Sequence, residues 1–419
     1  MYQKTLLKNG IRVVSENIPS VRSFSAGIWI TTGSRDEDSA ENGISHFIEH
    51  LAFKGTKNRS AHDIAKEIDS VGGILNGFTE REYTCFHAKV LDQHWPLAIE
   101  LLSDIFLNSV FDPREIERER NVILQEIKMV EDTPDDYIHD LFNEVFWEGH
   151  SLGYPIVGRK ERVNSFDRET IRRYFDEHYR SNNLVISMAG NIDHDEVVGR
   201  IEDTFGRLQE RMEVGKRNPP EPSPRIGIFP RDLEQVHLCL GTKGIPQTHR
   251  MRYSGYVLNT LLGRGMSSYL FQEIREKRGL AYSVYSYRPA YFDVGQLVVY
   301  AGTARASLED VVRLTIKQFD TFRKGRIRED ELRRAQEQLK GNLLLSLESS
   351  DSWMTRLAQN EMYFGKYIPI EEVIKSIEGV TSSEVIRLAQ DLFREDLFCL
   401  VVLGPIGEGE LPRDLLRFP

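Results

Sequence analysis

The stretch HFIEHLAFKGT, residues 46–56, sets two histidines four positions apart with a glutamate directly before the second. An α-helix turns about 100° per residue, so positions i, i+3 and i+4 share one face. His46, Glu49 and His50 therefore converge. Two neutral imidazoles at that spacing can hold one Zn2+, and the neighbouring carboxylate can take a proton from water activated by the metal. A bare pair of histidines reads as incidental surface residues; the glutamate between them argues for metal chemistry.

Catalytic zinc normally takes three protein ligands, so two histidines leave it one short. The segment FDPREIERERNVILQEIKMVEDTPD supplies a candidate helix. Asp112 is expected to cap it, Pro113 suits its first turn, and Glu115 completes a D-x-x-E capping box. Ile116, Ile123, Ile127 and Val130 give it an apolar stripe at helical spacing. Glu119 and Glu126 are seven apart and so point to the same side, two turns from each other. Most glutamates on such a charged helix are simply solvated. Glu126 follows the apolar run VIL and is expected to be less exposed.

These elements need a frame. At 419 residues the chain is long for one core and suggests two or more domains. Hydrophobic residues make up 40% and charged residues 28%, a balance that indicates neither disorder nor a membrane protein. No apolar run reaches the length of a membrane span. The N-terminal MYQKTLLKNGIRVV enters a strand-like pattern and reads as carrying no secretory signal. Cys85, Cys239 and Cys399 are odd in number and far apart, which argues for a reducing, cytoplasmic setting and against a cysteine zinc site. The formal net charge of −10 disfavours nucleic acid as a partner and suits basic peptides.

The order of elements recurs. NSFDRETIRRYFDEHYRSNNLVISMAGN in the first half matches VTSSEVIRLAQDLFREDLFCLVVLGP in the second: capped helix, short turn, apolar strand ending in a small residue. Thr381 and Glu384 form the capping box of the latter. SFSAGIWIT, with Phe24, Ala26, Ile28 and Ile30 alternating, corresponds to EQVHLCLGTKG. The expected fold class is α+β: two homologous domains, each a mostly antiparallel sheet covered on one face by helices. The boundaries expected are 1–208 for a zinc-binding domain, 209–225 for a proline-rich linker and 226–419 for the second domain. Pairing Glu115-Ile116 with Glu331-Leu332 sets Ala335 opposite Glu119 and Asn342 opposite Glu126. Only the first half can hold the metal.

On these residues the chain resembles the pitrilysin/insulinase family of zinc peptidases, in the subgroup of mitochondrial processing peptidase and its shorter bacterial relatives. The pattern carrying the resemblance is H-x-x-E-H, the reverse of H-E-x-x-H, then 75 intervening residues to a glutamate with another glutamate seven before it. The resemblance implies that His46, His50 and Glu126 bind one Zn2+ per chain, that Glu49 is the general base and that Glu119 is a supporting acid. REKRGLAY adds Arg275 and Tyr282, matching an Arg/Tyr pair that in relatives faces the zinc from the opposite domain. A tyrosine hydroxyl can donate to a developing oxyanion, and an arginine can hold a carbonyl or carboxylate.

In relatives the stretch corresponding to ILNGFT is an edge strand that pairs with the substrate backbone. Asn76, Gly77 and Phe78 are its expected substrate-binding residues. Gly77 replaces the usual alanine of N-A-F-T and is expected to loosen the strand. Longer relatives carry four such domains, with zinc in the first and the Arg/Tyr pair in the last. This implies a homodimer in which each zinc faces Arg275 and Tyr282 of the other copy. The expected activity is hydrolysis of short unfolded or presequence-like peptides. The alternatives are a non-catalytic structural or partner subunit and a peptide-binding module.

Overall fold

A computed structural model describes residues 1–210, 217–407, 409–412 and 414–419. Residues 211–216 of the expected linker lie outside the described residues. The chain packs as two compact units. The first comprises Met1–Met129, Tyr154–Arg217 and Ser346–Tyr367; the second comprises Val130–Gly153, Asn218–Leu345 and Ile368–Pro419.

In the first unit the strands are β1 (Tyr2–Leu6), β2 (Arg12–Asn17), β3 (Ser23–Ile30), β4 (Ile74–Thr79), β5 (Thr84–Leu91) and β6 (Leu184–Gly190). They form one sheet in the order β1-β2-β6-β3-β5-β4, with β2 and β6 parallel and the other pairs antiparallel. The second unit holds β7 (Ile226–Pro230), β8 (Val236–Gly244), β9 (Ala281–Tyr287), β10 (Gly295–Thr303) and β11 (Cys399–Gly404). Their order is β7-β11-β8-β10-β9, with only β7 and β11 parallel. Apart from β1 the two sheets share one topology, so the internal repeat and the α+β class hold. β4 and β9 are equivalent edge strands.

Strand β3 is buried along nearly its whole length. Phe24, Ala26, Ile28 and Ile30 enter the main core with Phe47, Ile48 and Ile123. Trp29, on the other face, packs with Val14, Val185, Met354 and Leu357. A sheet apolar on both faces needs two covers. The second cover is the helix Ser350–Phe364, whose Ser350 hydroxyl lies 2.8 Å from those of Ser23 and Ser25 and whose Asp351 takes Lys89 Nζ at 2.6 Å. In the second unit the helix Pro134–Phe146 does the same, burying Ile138, Phe142 and Val145 against Cys239, Val298 and Val401.

Two points of the sequence reading change here. Helices cover both sheet faces rather than one, and each additional cover comes from the far half of the chain, so continuous boundaries at 208 and 226 do not describe the packing. The reason is physical: an amphipathic helix joins whichever apolar face is open, and sequence distance does not enter that choice. The capping box expected at Asp112 also differs. Asp112 Oδ1 accepts the Arg114 N–H at 2.8 Å, while Glu115 pairs with Arg118. The box at Thr381 and Glu384 is present. All three cysteines are buried and unpaired.

Candidate metal and catalytic site

The helix Ile44–Ala52 starts at Gly43, whose φ of 94° lies in the left-handed region. A Cβ there would come 2.6 Å from Gly158 Cα, so only glycine fits. No side chain of the helix caps it. Glu37 reaches in from the preceding loop instead: its two oxygens accept the N–H groups of Gly43 at 2.8 Å and Ser45 at 2.9 Å. Burial pushes the Glu37 carboxyl upward, and these two donors at a helix N-terminus oppose it by favouring the charged form.

Ile44, Phe47, Ile48 and Leu51 lock this helix into the core, which turns His46, Glu49 and His50 to one side. The helix Pro113–Glu131 is held alongside by buried Ile116, Ile123 and Ile127. Glu126 Oε2 lies 3.7 Å from His46 Nε2 and 3.5 Å from His50 Nε2. One donor atom from each of the three residues falls within 4.8 Å of the others. Two imidazole nitrogens and one carboxylate oxygen form the three-ligand set that catalytic zinc uses, with a further position left for water or substrate.

The electrostatics fit that set. Burial, then the charge of His50, pull His46 down to about 4 against the opposing pull of Glu126, so His46 is neutral with a lone pair to offer. For His50 burial acts downward too, but hydrogen bonds to Glu119 and Glu126 outweigh it and raise the ring to about 9. His50 Nδ1 donates to Glu119 Oε2 at 3.1 Å, leaving Nε2 turned to Glu126. This outer carboxylate selects the tautomer and the ring orientation. Lys54 Nζ sits 2.9 Å from Glu119 Oε1. Burial raises the Glu119 carboxyl, and its bonds to His50 and Lys54 overcome that and hold it low.

Glu49 points to the edge strand. Thr79 Oγ1 of β4 donates to Glu49 Oε2 at 2.7 Å. Burial raises the Glu49 carboxyl above the ordinary range, with the Thr79 bond pulling the other way. Gly77, two residues earlier on the same strand face, lies against this carboxylate: a Cβ at Gly77 would meet Glu49 Cγ at 3.0 Å and a Phe53 ring carbon at 3.2 Å. Asn76 and Phe78 alternate to the opposite face. Phe78 packs on Trp29, and Asn76 Oδ1 accepts the Gly77 N–H. Of the three residues expected to bind substrate, only Gly77 is on the metal side.

Arg275 and Tyr282 belong to the second unit, where they come together. The guanidinium lies 4.6 Å from the Tyr282 ring centroid and 4.7 Å from that of Phe271. Tyr282 is 80% exposed. Three residues at the metal site escaped the sequence reading: Thr79, Lys54 and Glu37. Thr79 was accessible from strand periodicity, being two residues from Gly77. Glu37 carries no spacing signal, because an irregular loop joins it to the helix it caps.

Two consecutive stretches of the chain match different family profiles. "Insulinase (Peptidase family M16)" matches residues 12–160, and "Peptidase M16 inactive domain" matches residues 165–339. An uncharacterized zinc protease of Bacillus subtilis, YmxG, is 43% identical over 407 residues, which cover 97% of this chain and 99% of that protein. The chain belongs to the insulinase family, peptidase family M16. An uncharacterized zinc protease of Streptomyces coelicolor is 40% identical over 420 residues, covering 98% of this chain and 91% of its own. Among solved structures, a protease from Helicobacter pylori superposes with a TM-score of 0.88 at 22% identity, over 96% of this chain and 99% of that one. A Pseudomonas fluorescens protein described as a peptidase M16 inactive domain gives 0.91 at 18% identity, over 97% and 98%. These two show the shared fold.

The insulinase-family chain is thus a metallopeptidase relative with Zn2+ as cofactor, and its donor set fits that ion. The name of the second profile agrees with the helix Arg252–Gly263, which has neither histidine nor glutamate where its counterpart carries His46, Glu49 and His50. Among the described residues no helix is long and apolar enough to cross a membrane.

Proposed function

We propose that this protein is a zinc endopeptidase that cleaves short, unfolded peptides, with His46, His50 and Glu126 as metal ligands and Glu49 as general base. The observation that carries the reading is the convergence of the three donor atoms within 4.8 Å, with the two histidines on the same helix face as Glu49, itself bonded to an edge strand. When bound, Zn2+ acidifies water and polarises a carbonyl oxygen. Glu49, whose burial makes it a stronger base than an exposed glutamate, accepts the proton of the attacking water and passes it to the leaving amine. Glu119, with Lys54 behind it, holds His50 in its ligating orientation.

Strand β4 is hydrogen-bonded within its sheet on one side only. Its other edge offers main-chain N–H and C=O groups to an extended peptide, a mode of pairing that reads backbone more than side chains. Asn76 and Phe78 then contribute through their backbone, while the absent side chain of Gly77 leaves room beside Glu49. Arg275 and Tyr282 act in a homodimer, each pair serving the metal site of a second copy of this chain. The exposed Tyr282 hydroxyl and the stacked guanidinium suit oxyanion and carbonyl contacts. The setting proposed is the cytoplasm.

The test is hydrolysis of a quenched, flexible peptide by the purified protein, with Glu49→Gln and a chelator as controls. Cleavage abolished by both supports the reading. Bound zinc with no cleavage of any unfolded peptide would replace it with a non-catalytic partner subunit. Recovery of activity on mixing Glu49→Gln with Arg275→Ala protein tests the shared site; no recovery after subunit exchange removes it.

A further inference from the structure

Arg288, directly after β9, is a half-buried cation with no anion beside it among the described residues. Its side chain passes Gly255 of the helix Arg252–Gly263, where a Cβ would lie 3.5 Å from both Cδ and Nε. The guanidinium lies over Tyr256, 4.4 Å from the ring centroid. Nη1 donates to the Ile245 carbonyl at 3.1 Å. Nε and Nη2 are buried and have no hydrogen-bond partner among the described residues.

Those two atoms form the side-on fork that receives a carboxylate through two parallel hydrogen bonds. The same chain uses the fork in that way elsewhere. Arg394 binds Asp396 through Nε at 3.0 Å and Nη2 at 2.6 Å, and Arg328 binds Asp330 at 3.0 and 3.1 Å. In Arg288 neither atom of the fork has a hydrogen-bond partner among the described residues. A buried charge without a partner is costly, and stacking on one tyrosine offsets only part of that cost. Burial accordingly pulls the Arg288 pKa below the usual arginine value.

Arg288 lines a cavity of about 310 Å3 together with Tyr256, Asn259, Arg264, Tyr285 and Tyr287. Among the described residues no acidic side chain lines it. Arg264 adds a second cation, with no ion pair among the described residues. The cavity sits between β9 and the helix Arg252–Gly263. These are the repeat's counterparts of β4 and the helix Ile44–Ala52, the elements that bring Thr79 to Glu49. We infer that this counterpart groove is a binding site for a carboxylate, received by the Nε/Nη2 fork of Arg288 with Arg264 at the rim. A monoanion balances the one buried charge, and the volume admits a terminal residue or an acidic side chain of a peptide.

The experiment measures binding by calorimetry to full-length Glu49→Gln protein, so that turnover does not enter and the outcome is independent of the peptidase reading. The probes are a short N-acetylated peptide with a free C-terminal carboxylate, the same peptide amidated, and an amidated peptide containing glutamate. The expected result is that the free acid binds about tenfold or more tightly than its amide, the loss of one charge-assisted pair. Adding Arg288→Met to the protein removes that preference without lowering the melting temperature, because it deletes an unpaired buried charge. Glutamate-peptide binding equal to the free acid assigns the site to acidic side chains, and weaker binding assigns it to the C-terminus. Equal binding of acid and amide, an unchanged preference in Arg288→Met, or a fall in its melting temperature would overturn the inference and make Arg288 a structural residue.

Discussion

Thr79 of the edge strand donates its hydroxyl to Glu49 Oε2 at 2.7 Å, joining the strand proposed to receive substrate to the proposed general base. This bond favours the charged carboxylate. Thr79→Val keeps the shape and deletes the donor, so the Glu49 pKa rises further and less of it is ionised at a given pH. The acid limb of the kcat/KM profile should move to higher pH, and kcat should fall by about tenfold, the worth of a hydrogen bond to a charged group. Zinc content should stay constant. A pH–rate profile measured beside metal analysis checks both, and an unmoved acid limb would count against Glu49 as the base.

Gly77 faces the same carboxylate. Gly77→Ala should stiffen β4 and add about 0.5–1 kcal/mol of stability through the unfolded chain. The new methyl, however, starts only 3.0 Å from Glu49 Cγ, so the base must shift. Melting temperature should rise or hold while turnover drops. Thermal denaturation and kinetics on one preparation decide this, and a variant at least as active as the parent shows that Glu49 yields without penalty.

Glu119 touches His50 but none of the other proposed zinc ligands. Glu119→Gln removes the charge that orients His50 Nδ1 and leaves Lys54 without its partner. Zinc affinity should weaken by about 10- to 100-fold, the usual range for an outer-shell carboxylate. Competition against a chromophoric chelator measures it, with circular dichroism confirming the fold.

Metal uptake should displace a proton. In the metal-free protein His50 is raised to about 9 and His46 lowered to about 4, so near neutral pH His50 carries a proton and His46 does not. Zinc needs both rings neutral. Binding should release about one proton, and apparent affinity should climb with pH until about 9, as calorimetry in buffers of different ionisation enthalpy will report. The sign for stability follows. The charged His50 stabilises the metal-free fold fully below the unfolded histidine value of about 6.5. That stability is lost as pH rises through about 9.

Glu37 caps the helix Ile44–Ala52 with both oxygens. Glu37→Gln puts an amide N–H2 against a main-chain donor inside the core. The cost should be about 1–3 kcal/mol, that of a buried unsatisfied polar group. Chemical denaturation of the metal-free variant measures it without interference from zinc.

The shared face of His46, Glu49 and His50 was legible in the sequence because its geometry is local, whereas the approach of Glu126 to the two histidines depends on how two helices pack. His46, Glu49 and His50 share a face by helical pitch alone, and the apolar stripe Ile116, Ile123 and Ile127 sets which side of its helix Glu119 and Glu126 occupy. The repeat was legible for a similar reason, since alternation in SFSAGIWIT and EQVHLCLGTKG marks each strand by itself. The doubly covered sheets were not. Trp29 and Val185 on the second face look like any strand residues until a helix some 160 positions or more further on is seen to bury them.

What the sequence determined by itself, then, is the set of residues whose spacing within one helix or strand makes them neighbours: two histidines with their glutamate, and the pair Glu119 and Glu126. The packing of separate elements decided that Thr79 holds Glu49, that Lys54 backs Glu119, that Glu37 caps the helix of His46 and His50 from a loop, and that the Arg288 guanidinium has no anion among the described residues. The physical reason is range. Helical and strand periodicities fix directions over a few residues, whereas contacts across a sheet edge, a loop or a covering helix depend on how separate elements pack, and no local spacing encodes that.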